Sequence, residues 1–125
     1  MSEINEKFLF KYFLGLLGQI KVFHWATMNY SKHKALDDLH SSLSNNIDEL
    51  MEVYIGKFDK QPLELFDISM NANSNTNKII DYLNENREII RGIRNKHFKN
   101  YSEIQNILDS ILSSISKTIY LCKLE

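Results

Sequence analysis

A single proline, Pro62, and four glycines are all that interrupt the 125 residues of this chain. So few breakers commit it to long helices, because proline and glycine are the residues that most strongly end them. Apolar positions recur at the matching period. Over residues 4–28, Phe8, Tyr12, Leu16, Ile20 and Phe23 fall three or four apart, with Phe13 and Leu17 beside them, which predicts a helix with a wide apolar stripe. After the short polar connection NYSKH, a second helix is expected over 32–56, with Ser31 as its N-cap and Gly56 as its stop. It would bury Leu36, Leu39, Leu43, Ile47, Leu50 and Tyr54. A third, from Thr76 to His97, carries Ile79, Ile80, Leu83, Ile89, Ile90 and Ile93. The fourth opens at SEIQ, where Ser102 and Gln105 read as a capping box. It runs to the end on Ile104, Ile107, Leu108, Ile111, Leu112, Ile115 and Ile119.

Between the second and third helices, residues 57–77 contain the proline and close on the turn-rich NANSNTN. Within them PLELFDISM is expected to form one or two short helical turns. A connection of this length carries the chain back along the bundle, so that helices two and three run parallel. No strand alternation, repeat or glycine-rich phosphate loop competes. The expected fold is an all-α four-helix bundle with a long crossover between helices 2 and 3, as one domain over residues 1–125.

Composition narrows the function classes. With 43% hydrophobic and 25% charged residues the chain is ordinary globular material, so global disorder is excluded. A net charge of −1 without a basic tail argues against wrapping nucleic acid. One cysteine, Cys122, rules out an internal disulfide framework and fits a reducing compartment. The apolar run near the N-terminus is broken by Lys11, Gln19 and Lys21, unlike a secretory signal, and no stretch approaches membrane-spanning length. A soluble cytoplasmic protein is expected.

Chemistry concentrates in residues 23–54, which hold three of the four histidines and a run of carboxylates. On a helical wheel with His33 at zero, Asp37 falls at about 40°, Asp48 at about 60° and Glu52 at about 100°. The four form one strip bordering the apolar face. His33 with Asp37, and Asp48 with Glu52, are i,i+4 pairs whose side chains can converge. One helix cannot bring the two pairs together, because eleven residues separate Asp37 from Asp48, a rise of about 16 Å.

Two copies packed antiparallel about a two-fold axis can. Residue numbers that face each other across such a pair add to a constant, and His33 with Glu52 gives the same constant as Asp37 with Asp48. One register, centred between residues 42 and 43, therefore sets His33 and Asp37 of one protomer against Glu52 and Asp48 of its partner, twice over. The centre reads HSSLSN, small enough for close approach. Folding the first helix back through the turn brings His24 to the level of Asp37. The resulting set of His24, His33, Asp37, Asp48 and Glu52 is a mixed nitrogen and oxygen environment suited to iron, zinc or manganese rather than calcium. Carboxylates meeting across an interface also require a cation or protons between them.

Plainer explanations stand beside this one. Such i,i+4 pairs are commonly a solvated face, and Lys34 with Asp38 is read so. Trp25 is expected in the core. His40, near the axis, is read as a polar interface residue in preference to a hydrogen-bonding group behind the ligands. Arg87, Arg91, Arg94, Lys96 and Lys99 could bind phosphate or nucleic acid, but cations near a helix C-terminus complement its dipole, and Glu85 and Glu88 dilute the patch.

His24-Trp25, then His33-x-x-x-Asp37, then Asp48-Glu49-x-x-Glu52 resembles the signature of the Dps-like miniferritins over about residues 20–55. The resemblance implies a ferritin-like bundle, assembled as a two-fold dimer and commonly as a dodecameric cage. It implies a di-iron ferroxidase centre shared between subunits, with Glu49 outside the ligand set and Glu52 placed to bridge the metals. Trp25 would then lie beside the site. The implied activity is oxidation of Fe²⁺ by peroxide or oxygen with iron storage, and zinc or manganese are other occupants of the same ligands. The interval between His24 and His33 is shorter than the family's usual one. The chain lacks a lysine-rich tail, so the family's DNA coating is not carried over. The contrasting expectation is a non-catalytic ferritin-like dimer or adaptor module, holding a structural metal or none.

Overall fold

The computed structural model describes residues 6–61, 67–72 and 75–124. Four helices account for most of them: α1 (Glu6–Ala26), α2 (Tyr30–Phe58), α3 (Thr76–Gly92) and α4 (Ser102–Lys123). One π-helical turn, Ile93–His97, prolongs α3. No strand occurs among the described residues.

Cross-helix contacts fix the directions. Phe10 packs edge-on against Tyr54, and His24 stacks on His33, so α1 and α2 are antiparallel. Tyr12 donates to Asn86 Oδ1 at 2.6 Å while Phe23 meets Tyr82, so α3 is also antiparallel to α1. Ser42 pairs with Ser114, and Lys57 with Glu103, which runs α4 against α2. Helices α2 and α3 are therefore parallel, as a long crossover between them requires. The bundle's core is a continuous apolar cluster in which Leu36, Leu43, Leu50, Ile79, Leu83, Ile104, Leu108 and Ile111 are fully buried.

Most expected core positions of α1, α2 and α4 are buried, and α1 departs from expectation only at its first turns. Leu9, Phe13, Leu16, Ile20 and Phe23 fill the core, and Phe8 is 46% exposed. Of the nearly consecutive Phe8, Phe10, Tyr12 and Phe13, the bundle buries Phe10 and Phe13 and leaves Tyr12 partly buried against the core. Ile89, on α3, also turns outward.

Three helix ends differ from expectation. Asn29, not Ser31, caps α2: its backbone is extended and its side chain accepts from the Lys32 amide at 3.0 Å. The connection shrinks to Thr27, Met28 and Asn29. The helix runs through Gly56 to Phe58 and stops where Asp59 adopts a left-handed φ of 54° and donates its N–H to Ile55 O. Ser102 and Gln105 form no capping box. Tyr101 occupies the cap position without a side-chain bond, and the Gln105 side-chain amide donates instead to the Arg94 and Lys99 carbonyls.

Residues 62–66 of the expected helical turns lie outside the described residues, and 67–70 are not helical. The segment 67–72 lies along α1. Ile68 approaches Gly15, Met70 approaches Gly18, and Gln19 clamps Asn71 by both backbone groups, each at 2.7 Å. Among the described residues no helix is long and apolar enough to cross a membrane.

Candidate metal centre

The three-residue turn sets the last turn of α1 beside the first turns of α2, and three of the five candidate ligands meet there. His24 Nδ1 lies 2.9 Å from the His33 carbonyl oxygen, and His33 Nδ1 lies 2.8 Å from the His24 carbonyl oxygen. A carbonyl can only accept, so both Nδ1 atoms carry hydrogen and donate. In the neutral rings each Nε2 then presents a lone pair. The rings stack with centroids 3.9 Å apart and planes 23° from parallel. His24 is buried, at 7% exposure. Its Nε2 faces Asp37 Oδ1 at 3.8 Å, as expected from folding α1 back onto α2.

Asp37 Oδ1 has a second neighbour that sequence reasoning did not assign. Lys21 Nζ stands 3.9 Å away, and 5.9 Å from the Trp25 ring centroid. The available signal was spacing: Lys21, His24 and Trp25 lie three and four apart on α1. His40, one turn beyond Asp37, belongs to the same neighbourhood. Burial, then the Lys21 cation, pushes its imidazole below the ordinary range; His24 adds to this, and Asp37 opposes it.

Asp48 and Glu52 remain remote from this cluster within one chain, and both are exposed. Among the described residues no three His, Cys, Asp or Glu side chains of one chain gather closely enough to hold an ion. Asp48 borders a groove of about 370 Å³ between α1 and α2, lined also by Leu14, Leu17, Ile47 and Met51. Trp25, expected in the core, is 70% exposed, and Leu14 is 50% exposed. Leu14, Lys21 and Trp25 share one outward face of α1, seven and four residues apart.

The remaining expectations resolve simply. Lys34 and Asp38 form a solvent-exposed pair at 3.3 Å. The arginines near the end of α3 are engaged within the chain: Arg87 with Asn84 and Ser116, Arg91 with Glu88, and Arg94 with both oxygens of Asp109. Cys122 is free and buried, and that burial pushes its thiol up from the usual range.

No curated protein and no solved structure matches the chain. A family model does, over residues 24–122, a span that takes in all five candidate ligands. By that match the chain belongs to a family of unknown function, DUF5856.

Proposed function

We propose that this protein is a miniferritin-like iron oxidase and store, acting through metal sites shared between two copies of the chain. The reciprocal bonding of His24 and His33 carries the reading. Each ring gives its Nδ1 hydrogen to backbone and keeps Nε2 as an acceptor, the preparation that metal-binding histidines receive from their surroundings. Asp37 supplies an oxygen beside His24. Asp48 and Glu52 of the partner would complete each site in the antiparallel register about residues 42 and 43. A ferritin-like bundle agrees with the parallel α2 and α3 and the crossover between them.

The exposed face supports a second copy. Leu14 and Trp25 offer apolar area next to the polar strip, and burying such area is the main drive to association. In this reading Fe²⁺ is the substrate. Two ions held together give one electron each, and hydrogen peroxide takes both, with two protons, to become two waters. Pairing the electrons avoids one-electron products. The chain's part is to bind and orient: His24, His33, Asp37, Asp48 and Glu52 as ligands, with Glu52 placed to bridge. The ammonium of Lys21 near Asp37 favours a second reading, a non-catalytic dimer or adaptor module with a structural metal or none, because that carboxylate already has a counter-charge.

Complementation separates these readings. Asp48→Asn and His33→Ala should each abolish Fe²⁺ oxidation. After dissociation, verified by light scattering, and joint reassembly, the mixture should regain about a quarter of wild-type activity, since half the dimers carry one intact site of two. Full activity in either single variant, or loss without recovery after verified exchange, would refute the shared site. Wild-type protein that never oxidises Fe²⁺ would leave the non-catalytic module.

A further inference from the structure

We propose that Lys21 is a tethered counter-cation of this site, holding Asp37 in the metal-free protein and giving way when a divalent ion binds; the inference rests on the shared-site reading above. Asp37 Oδ1 lies 3.8 Å from His24 Nε2 and 3.9 Å from Lys21 Nζ. Both distances exceed hydrogen-bonding range, so neither neighbour locks the carboxylate. The ammonium therefore acts through charge rather than through a directed bond. Its flexible four-carbon stem allows withdrawal, and the Trp25 face provides a nearby seat. No other Lys or Arg side chain among the described residues is paired with Asp37.

Opposite signs follow for two equilibria. Without metal, Asp37 of one protomer and Asp48 and Glu52 of its partner crowd like charge into one place, and Lys21 offsets it. With a divalent cation present the same ammonium repels the newcomer. Lys21 thus stabilises the empty dimer and raises the metal concentration needed to fill it. A group with only a packing role would shift both in the same direction.

The test uses Zn²⁺, which is redox-inert, on the full chain stripped of metal, comparing wild type with Lys21→Met and Lys21→Arg. Because the Lys21–Asp37 pair is partly exposed, with side-chain exposures of 32% and 47%, the effects are modest. Calorimetry should show Lys21→Met binding Zn²⁺ about fivefold tighter. Sedimentation in chelator should show its metal-free dimer about fivefold weaker. Lys21→Arg, keeping the charge, should stay near wild type in both. Equal or weaker Zn²⁺ binding by Lys21→Met, or a metal-free dimer no weaker than wild type, overturns the role of Lys21 while leaving the shared site standing. Zn²⁺ binding that His33→Ala does not diminish, or that is absent from all three proteins, overturns the shared site and this inference with it.

Discussion

Gln19 is the one polar side chain of α1, apart from His24, that is buried in the bundle, at 5% exposure, and its two contacts predict what its removal will do. Its amide nitrogen donates to the Asn71 carbonyl and its oxygen accepts from the Asn71 amide, each at 2.7 Å. A hydrogen bond of this kind contributes about 1 kcal/mol net, so Gln19→Ala should cost about 2 kcal/mol, or about thirtyfold in the opening equilibrium of segment 67–72. Asn71 is itself exposed, so its freed backbone groups meet water and bear no burial penalty. The loss should therefore be local. Native-state hydrogen exchange should show the Asn71 amide about thirtyfold less protected, with amides in the core of α4, such as Ile111, much less affected.

Gln19→Glu tightens the test. A carboxylate still accepts from the Asn71 amide, but its other oxygen would face the Asn71 carbonyl and a buried charge would lie where Gln19 was neutral. The variant should lose at least as much protection as Gln19→Ala. Wild-type exchange at Asn71 in the alanine variant, or full protection in the glutamate variant, would show that the clamp does not hold the segment.

Two further outcomes are expected. Gly15 lies inside α1, and an added Cβ would meet only Ile68 Cγ2 at 3.5 Å, an ordinary contact. Gly15→Ala should therefore stabilise the fold by about 0.5–1 kcal/mol, read as a raised midpoint in thermal or urea unfolding. His40 has its pKa lowered by folding, so below neutrality the unfolded chain takes up more protons than the folded one. Stability should fall as pH drops through and below the ordinary imidazole range, and His40→Gln should flatten that slope in urea titrations at successive pH values.

The bundle was legible because three- and four-residue spacing is dictated by helix geometry and does not depend on detail. Leu36, Leu39, Leu43, Ile47, Leu50 and Tyr54 all reach the core because only one apolar stripe exists on α2. The same spacing held on α1 from Phe13 to Phe23; only at its start did the aromatic residues offer two faces, and the choice there depended on a neighbour that periodicity does not describe. Helix ends were less legible. Ser31 and Asn29 are both good caps, and only backbone conformation decides which side chain meets an open amide. The π turn at Ile93–His97 was hidden for a related reason, since one shifted hydrogen bond leaves the apolar pattern almost unchanged.

At the candidate site, sequence suggested ligand types and a register but not the contacts that the histidines make. The His24 and His33 bonds run to backbone carbonyls, and every residue has a carbonyl, so no residue code announces them. Trp25 exposes a deeper ambiguity. Periodicity marks it as apolar and inward, yet it points outward, on the same face of α1 as Leu14 and Lys21. A surface awaiting a second copy uses the same residue types and the same spacing as a core, so the pattern cannot distinguish them. Charge can. On a monomer Asp37 would be solvated and indifferent to Asp48 and Glu52, which lie about three and four turns away along α2. In an antiparallel pair they meet, and their repulsion must be offset. The chain carries one such offset in Lys21, and under the proposed function an ion held by the two imidazole lone pairs beside it would be a stronger one. Apolar face, acidic strip and bonded histidines are each ordinary alone, and the proposed pairing of two chains would give all three one role.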